Sequence, residues 1–198
     1  MAFLRKVLLA VFVFGFAFSV ANAKDYSHLD PGKVVPARAL SQAVAYLKKY
    51  GSGFNNDDYM VVIDYRQHSS KKRFYLVNLR TGGVERYVTA HGSGSDRNND
   101  GYADKFSNAS GSNATSVGFF RTMGTYSGKW GYSLRLQGLS STNSNAYSRA
   151  IVIHGASYVS QNGHAGRSWG CPALDLNVSA SVITRIKNGA LIYAWSGQ

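Results

Sequence analysis

The chain has 198 residues, 22 Lys and Arg against 10 Asp and Glu, a formal charge of +12 and a single cysteine. That length suits one domain with a processing segment and can bury a core without covalent staples. One cysteine excludes an internal disulfide framework, a zinc ribbon and an iron–sulfur site, and a composition with 13% aromatic and 16% charged residues argues against disorder. The net charge points to an anionic partner without naming it.

Residues 1–23 read as a secretory signal peptide. Arg5 and Lys6 give a positive start, 7–20 is almost wholly apolar, and Ala21-Asn22-Ala23 is a small-x-small cleavage site. The apolar run is short for a membrane span, and no Cys follows it for lipid attachment. Removing 23 of the 198 residues leaves 175 that begin at Lys24, and losing Arg5 and Lys6 takes the charge from +12 to +10. Export to a periplasm, or to the cell wall and beyond, is therefore expected.

Residues 24–54 form an N-terminal helical segment packed on the domain that occupies 55–198. Pro36 stands where a helix should open, Leu40, Val44 and Leu47 recur at i, i+4 and i+7, and Gly51 follows as a stop, so a helix is predicted over 37–50. The period then changes. Runs at 59–65, 73–79 and 84–90 are rich in β-branched and aromatic residues, with Thr81-Gly82-Gly83 between the last two as in a hairpin. Further strands fit 117–123, 131–137, 150–154 and 190–195. A second helix fits 177–187, with Val178, Val182, Ile183 and Ile186 as its apolar stripe and Gly189 after it. No internal repeat or Pro-rich linker divides the chain. The expected fold is mostly β, a sandwich or barrel-like pair of sheets with one or two peripheral helices.

The stretch 92–116 has no apolar period and reads as a long loop, a length usually associated with function or mobility. Within it, Asp96, Asn98, Asp100 and Asp104, with Gly101 at the sixth position, resemble the start of a calcium loop of the EF-hand type. Position twelve holds Ser107 where a bidentate Glu belongs, and a polar turn-rich loop gives the same composition. Structural Ca²⁺ is a candidate here. No cofactor is otherwise expected. His91 and His164 read as solvent-exposed loop residues, and no metal-ligand spacing links them to His154 and Cys171.

The chemistry concentrates in 150–174. Ile151, Val152 and Ile153 form a buried-type strand closed by His154, and Gly155 is expected to end it. Cys171 lies seventeen residues after His154, in a Gly170-Cys171-Pro172 turn whose Gly permits the bend and whose Pro fixes φ. A thiol attacks a carbonyl only as thiolate, and an imidazole beside it can take the proton. The amides of Gly170 and Cys171 are the candidate oxyanion donors. A buried structural cysteine is the competing reading.

His154-Gly155 followed by Ser168-x-Gly170-Cys171 resembles the L,D-transpeptidase (YkuD-type) catalytic domain. The stretches 116–122, 131–136 and 150–155 resemble its murein L,D-transpeptidase subgroup. The resemblance covers about 55–195. It implies a β-rich cysteine acyltransferase acting on peptidoglycan stem peptides. Cys171 would attack the carbonyl of an L-centre, typically diaminopimelate, ahead of a terminal D-Ala. His154 would be base and then acid, the Gly155 carbonyl would orient its ring, Ser168 would support the turn, and Gly170 would serve the oxyanion site. The family motif has His before Gly-Cys and often Arg soon after. Here those places hold Trp169 and Pro172-Ala173, so Arg167 or Arg135 becomes a candidate cation for a substrate carboxylate. Tyr158 and Trp169 are candidates for shaping the groove. The alternatives are a cell-wall peptide hydrolase (an L,D-carboxypeptidase or amidase-like enzyme) using the same Cys/His pair and a non-catalytic wall-binding module. Peptidoglycan peptides are the expected partners. Neither nucleic acid nor a membrane anchor after cleavage is expected, and the protein is read as a monomer. With Lys and Arg spread along the chain, attraction to anionic wall polymer explains the charge.

Overall fold

The computed structural model describes residues 24–197; residues 1–23, read above as a signal peptide, lie outside them. In chain order the elements are α1 (Ala37–Tyr50), β1 (Tyr59–Asp64), β2 (Phe74–Asn78), β3 (Val84–Tyr87), β4 (His91–Gly92), β5 (Gly118–Gly128), β6 (Gly131–Gly138), β7 (Val152–Ala156), β8 (Val159–Ser160), β9 (His164–Ala165), β10 (Arg167–Ser168), β11 (Leu174–Asp175), α2 (Leu176–Ile186) and β12 (Leu191–Trp195). Eight strands make one sheet in the order β11-β7-β6-β5-β12-β1-β2-β3, curved into a nearly closed barrel-like shape.

Alternation along the strands builds two cores, because successive side chains leave opposite faces. On one face Val61, Ile63, Phe74, Leu76, Phe120, Leu134 and Ile153 pack with Val182, Ile183 and Ile186 of α2. On the other, Met60, Val62, Tyr75, Val77, Leu191 and Tyr193 pack with Ala39, Ala43 and Leu47 of α1. A fully buried aliphatic side chain contributes about 1.5–3 kcal/mol, so each helix is held by its stripe. The α2 stripe is the predicted one. In α1 the deepest positions are Ala39, Ala43 and Leu47, while Leu40 and Val44 flank them half-buried. Two alanines facing the sheet let the helix approach closely, which a pattern of large apolar residues does not reveal. Asp175 caps α2, its carboxylate accepting the Asn177 N–H at 2.8 Å.

Three boundaries differ from the sequence expectation. The third strand ends at Tyr87, because 88–90 peel away toward the cysteine turn: Thr89 bridges to Leu174, and the Ala90 N–H donates to Ala173 O at 3.0 Å. The β5–β6 hairpin runs on to Gly128, with a register shift between Thr122 and Thr125. And β7 does not stop at Gly155. Gly155 and Ala156 pair in parallel with Leu174 and Asp175 of β11, a partner nineteen residues away that local pattern cannot show. This parallel pair brings the chain after the cysteine alongside the histidine.

Candidate active site

His154 is held in the centre of β7, buried to 2% exposure, with β6 on one side (Ser133 opposite His154) and β11 on the other. Its Nδ1–H donates to the carbonyl of Gly155 at 2.9 Å, which leaves Nε2 as the proton-accepting nitrogen. Gly155 is required for packing: a Cβ there would stand 2.6 Å from Ser179 Oγ and 2.9 Å from Leu176 Cδ2, against α2. The indole of Trp130, at the tip of the β5–β6 hairpin, stacks on the imidazole with ring centres 5.3 Å apart. Burial lowers the His154 pKa below its ordinary value, and the Gly155 carbonyl opposes that shift, so the ring rests neutral at neutral pH.

The cysteine turn is closed by Ser168. Its hydroxyl donates to Cys171 O at 2.7 Å and accepts the Gly170 N–H at 3.0 Å. Gly170 has φ +113, and a Cβ there would meet Ala114 O at 2.7 Å, so glycine is needed on both counts. The expectation that the Gly170 and Cys171 amides together face an oxyanion changes accordingly. Gly170's N–H is occupied by Ser168, and among the described residues no hydrogen bond ends on the Cys171 N–H, which is the donor left at the turn. Cys171 is half-buried, and its thiol points to the carbonyl of Ala150 at 3.8 Å. Ala150 is itself left-handed at φ +54, a conformation that costs energy for any residue with a Cβ and that clusters at functional sites. Burial raises the thiol's pKa, while the Val152 N–H and the Arg149 charge oppose this. Among the described residues no hydrogen bond joins Sγ to the His154 ring. Each is bonded to backbone, His154 to Gly155 O and Cys171 to Ala150 O, and their segments meet where Gly155 pairs with Leu174.

The other predicted residues divide. Tyr158 is half-buried, packed over Gly166 and within electrostatic reach of Cys171, its hydroxyl pushed up to about 12 by burial. Trp169 is 78% exposed, one residue from the Gly170-Cys171 step. Arg167 donates to Asp96 O, and Arg135 lies over the Tyr126 ring at 4.0 Å, so both have protein partners. His164 is exposed, but His91 is fully buried, contrary to the loop reading: β4 pairs with β10 and draws His91 beneath the turn. Sequence reasoning missed Trp130, whose hairpin position gave no hint of the histidine. It also missed Arg149, which lies outside every motif.

The calcium-like residues are engaged in hydrogen bonds within the protein. Asp96 is buried. Its Oδ1 accepts the Asp100 N–H at 3.0 Å, and its Oδ2 accepts the Gly101 N–H at 3.1 Å and faces His91 Nε2 at 3.1 Å. Asn98 donates to Asp100 Oδ2 at 2.8 Å, and Asp104 bonds through its N–H to Ser95 O. Among the described residues no group of three or more His, Cys, Asp or Glu is placed to hold a metal. The Asp96 carboxylate is thus already engaged by protein donors. Calorimetric titration with Ca²⁺ is expected to give no binding heat for wild type or Asp100→Ala; a saturable isotherm abolished by that substitution would reinstate the cation.

A model of the L,D-transpeptidase catalytic domain matches residues 32–195. Comparison with curated proteins finds no match. Among solved structures, the chain is similar to an L,D-transpeptidase from Mycobacterium smegmatis, at 14% identity and TM-score 0.44, covering 70% of this chain and 59% of that one. It is also similar to the helical cell shape determining protein Pgp2 from Campylobacter jejuni, at 14% identity and TM-score 0.46, covering 83% and 58%. A third is an L,D-transpeptidase from Stackebrandtia nassauensis, at 12% identity and TM-score 0.44, covering 85% and 72%. The chain thus spans under two thirds of the first two proteins, and likenesses at this level carry no argument about the site.

Proposed function

The chain belongs to the L,D-transpeptidase catalytic-domain family, and on that premise we propose that it is an exported cysteine acyltransferase of peptidoglycan stem peptides, with Cys171 as nucleophile and His154 as base. The observation that carries this reading is the His154 ring. Its tautomer is fixed by the Gly155 carbonyl, among the described residues no hydrogen bond is made by its Nε2, and it sits on the strand that β11 joins directly after the cysteine turn. A structural histidine would have both nitrogens satisfied.

At rest both groups are neutral, since burial disfavours imidazolium and thiolate alike. A bound stem peptide displaces the thiol from Ala150 O toward Nε2, consistent with catalytic hydrogen bonds that tighten only with substrate. Nε2 takes the S–H proton and the sulfur bonds to the carbonyl carbon ahead of the terminal D-Ala. The negative charge on the carbonyl oxygen meets the Cys171 N–H. Collapse breaks the C–N bond, and His154 returns the proton to the departing amine. A side-chain amine of a second peptide then attacks the thioester, forming the new amide and freeing the thiol. Water at that last step would give a carboxypeptidase instead.

Mass spectrometry of muropeptides incubated with the protein tests the proposal. Cross-linked products are expected with wild type and none with Cys171→Ala. Trimmed monomers alone would assign hydrolysis, and identical profiles for both proteins would leave a binding module. Mass analysis of the wall-associated protein checks export through its N-terminus, expected at Lys24. Among the described residues no helix is long and apolar enough to cross a membrane.

A further inference from the structure

We propose that Arg149 is a positioning residue of the thiol site, its guanidinium pinning the 107–116 loop beside the cysteine turn while its charge stabilises the Cys171 thiolate. The inference rests on Cys171 as nucleophile but concerns a residue that neither the motif nor the family match marks.

Arg149 precedes Ala150, the left-handed residue whose carbonyl faces the thiol. All of its Nη hydrogens have acceptors in one loop. Nη1 donates to Ser107 O at 2.7 Å and Ser116 Oγ at 2.6 Å, and Nη2 to Ala114 O at 2.8 Å and Ser112 Oγ at 3.2 Å. Ala114 O is the atom that a side chain at position 170 would strike. The fork thus fixes the wall against which the Gly170-Cys171 step is built. Asn108 stitches the same loop to the 141–145 segment, through Ser141 O, Ser144 Oγ and the Asn145 N–H. With those donors engaged, the guanidinium is unavailable as a clamp for a substrate carboxylate. A planar fork matched to four acceptors is a role lysine cannot reproduce.

Three groups lie within electrostatic reach of Cys171: Arg149 before β7, Tyr65 just past β1 and Tyr158 after β7. Tyr65 and Tyr158 hold their protons tightly through burial, and His154 rests neutral. Arg149 is the charged group among them, and its field favours the thiolate against the burial that opposes it.

Alkylation of Cys171 by iodoacetamide across pH reads the thiol directly and does not depend on transpeptidation, so the proposed reaction can fail without deciding this inference. Arg149→Gln is expected to move the midpoint up by about one pH unit, which makes alkylation at neutral pH roughly tenfold slower. Arg149→Lys, which keeps the charge, is expected to recover more than half of that displacement. An undisplaced Gln profile, or a Lys profile displaced as far as the Gln one, overturns the proposal. Should the Gln protein fail to fold by circular dichroism, the Lys profile decides: a midpoint within about half a pH unit of wild type supports the role of charge, and a full-unit displacement refutes it.

Discussion

Replacing His154 by Ala is expected to slow acylation of Cys171 by a carbapenem roughly a hundred- to ten-thousandfold, the range typical for loss of a positioned general base. The thiol would then face the Ala150 carbonyl, which cannot take its proton, and would lose it only to solvent. In wild type the reactive imidazole is the neutral one. Because burial holds His154 below its ordinary value of 6.5, the ring is mostly neutral at neutral pH and charges as the pH drops through that lowered value. The acid limb of wild-type acylation therefore lies below pH 6.5. In His154→Ala that limb should vanish, and the residual rate should rise with pH as the thiol itself ionises. Adduct mass against time at several pH values measures both features. A variant acylated at the wild-type rate, or one that retains the same acid limb, would show that another group is the base. Circular dichroism guards against misfolding, since removing the ring leaves a gap beneath Trp130.

Periodicity found both helices and most of the sheet because those elements carry their signal locally. The Val178, Val182, Ile183 and Ile186 stripe is visible in eleven residues, and so is the alternation of β1. What could not be read were contacts made at long range. Nothing near Gly155 announces Leu174 as a parallel partner, so β7 was expected to end where it in fact continues. The His-Gly and Ser-x-Gly-Cys motif picked out a candidate site in the sequence but did not give its wiring. Gly170's N–H was expected to face an oxyanion and instead bonds to Ser168, a choice settled by a side chain two residues back. Arg149 and Trp130 come from a turn and a hairpin tip, where composition says only that the chain is exposed. The 96–104 run shows how little spacing says about hydrogen bonding. Its spacing matched a cation loop, yet the same oxygen-rich residues make a loop that binds its own amides and a histidine brought from β4.

That histidine belongs to a buried chain under the cysteine turn, and breaking it at Arg73 is expected to cost about 3–5 kcal/mol. Arg73 is fully buried. It donates to Gln67 O at 2.7 Å, to Thr89 O at 3.0 and 3.3 Å, and through Nη2 to His91 Nδ1 at 2.9 Å. His91 must therefore carry its proton on Nε2, directed at Asp96. Thr89 in turn donates its hydroxyl to Ala173 O at 2.9 Å, which ties the network to the residue two past Cys171. Arg73→Met fills the space but leaves these acceptors unanswered and Asp96 without its distant counter-charge. For a domain of this size the melting temperature should fall by roughly 10 °C. The same chain predicts acid sensitivity. Burial, and after it the Arg73 charge, pushes His91 down to about 4, against an ordinary value of 6.5. The unfolded chain thus binds the extra proton first. His91 contributes its full stability above pH 6.5 and loses about 3 kcal/mol as the pH falls toward 4. Denaturant unfolding at pH 7 and pH 4.5 measures both effects, with His91→Gln as the control in which the acid loss shrinks. An Arg73→Met protein within 1 kcal/mol of wild type at pH 7, or a His91→Gln protein just as acid-sensitive as wild type, would mean that this buried chain does not support the turn.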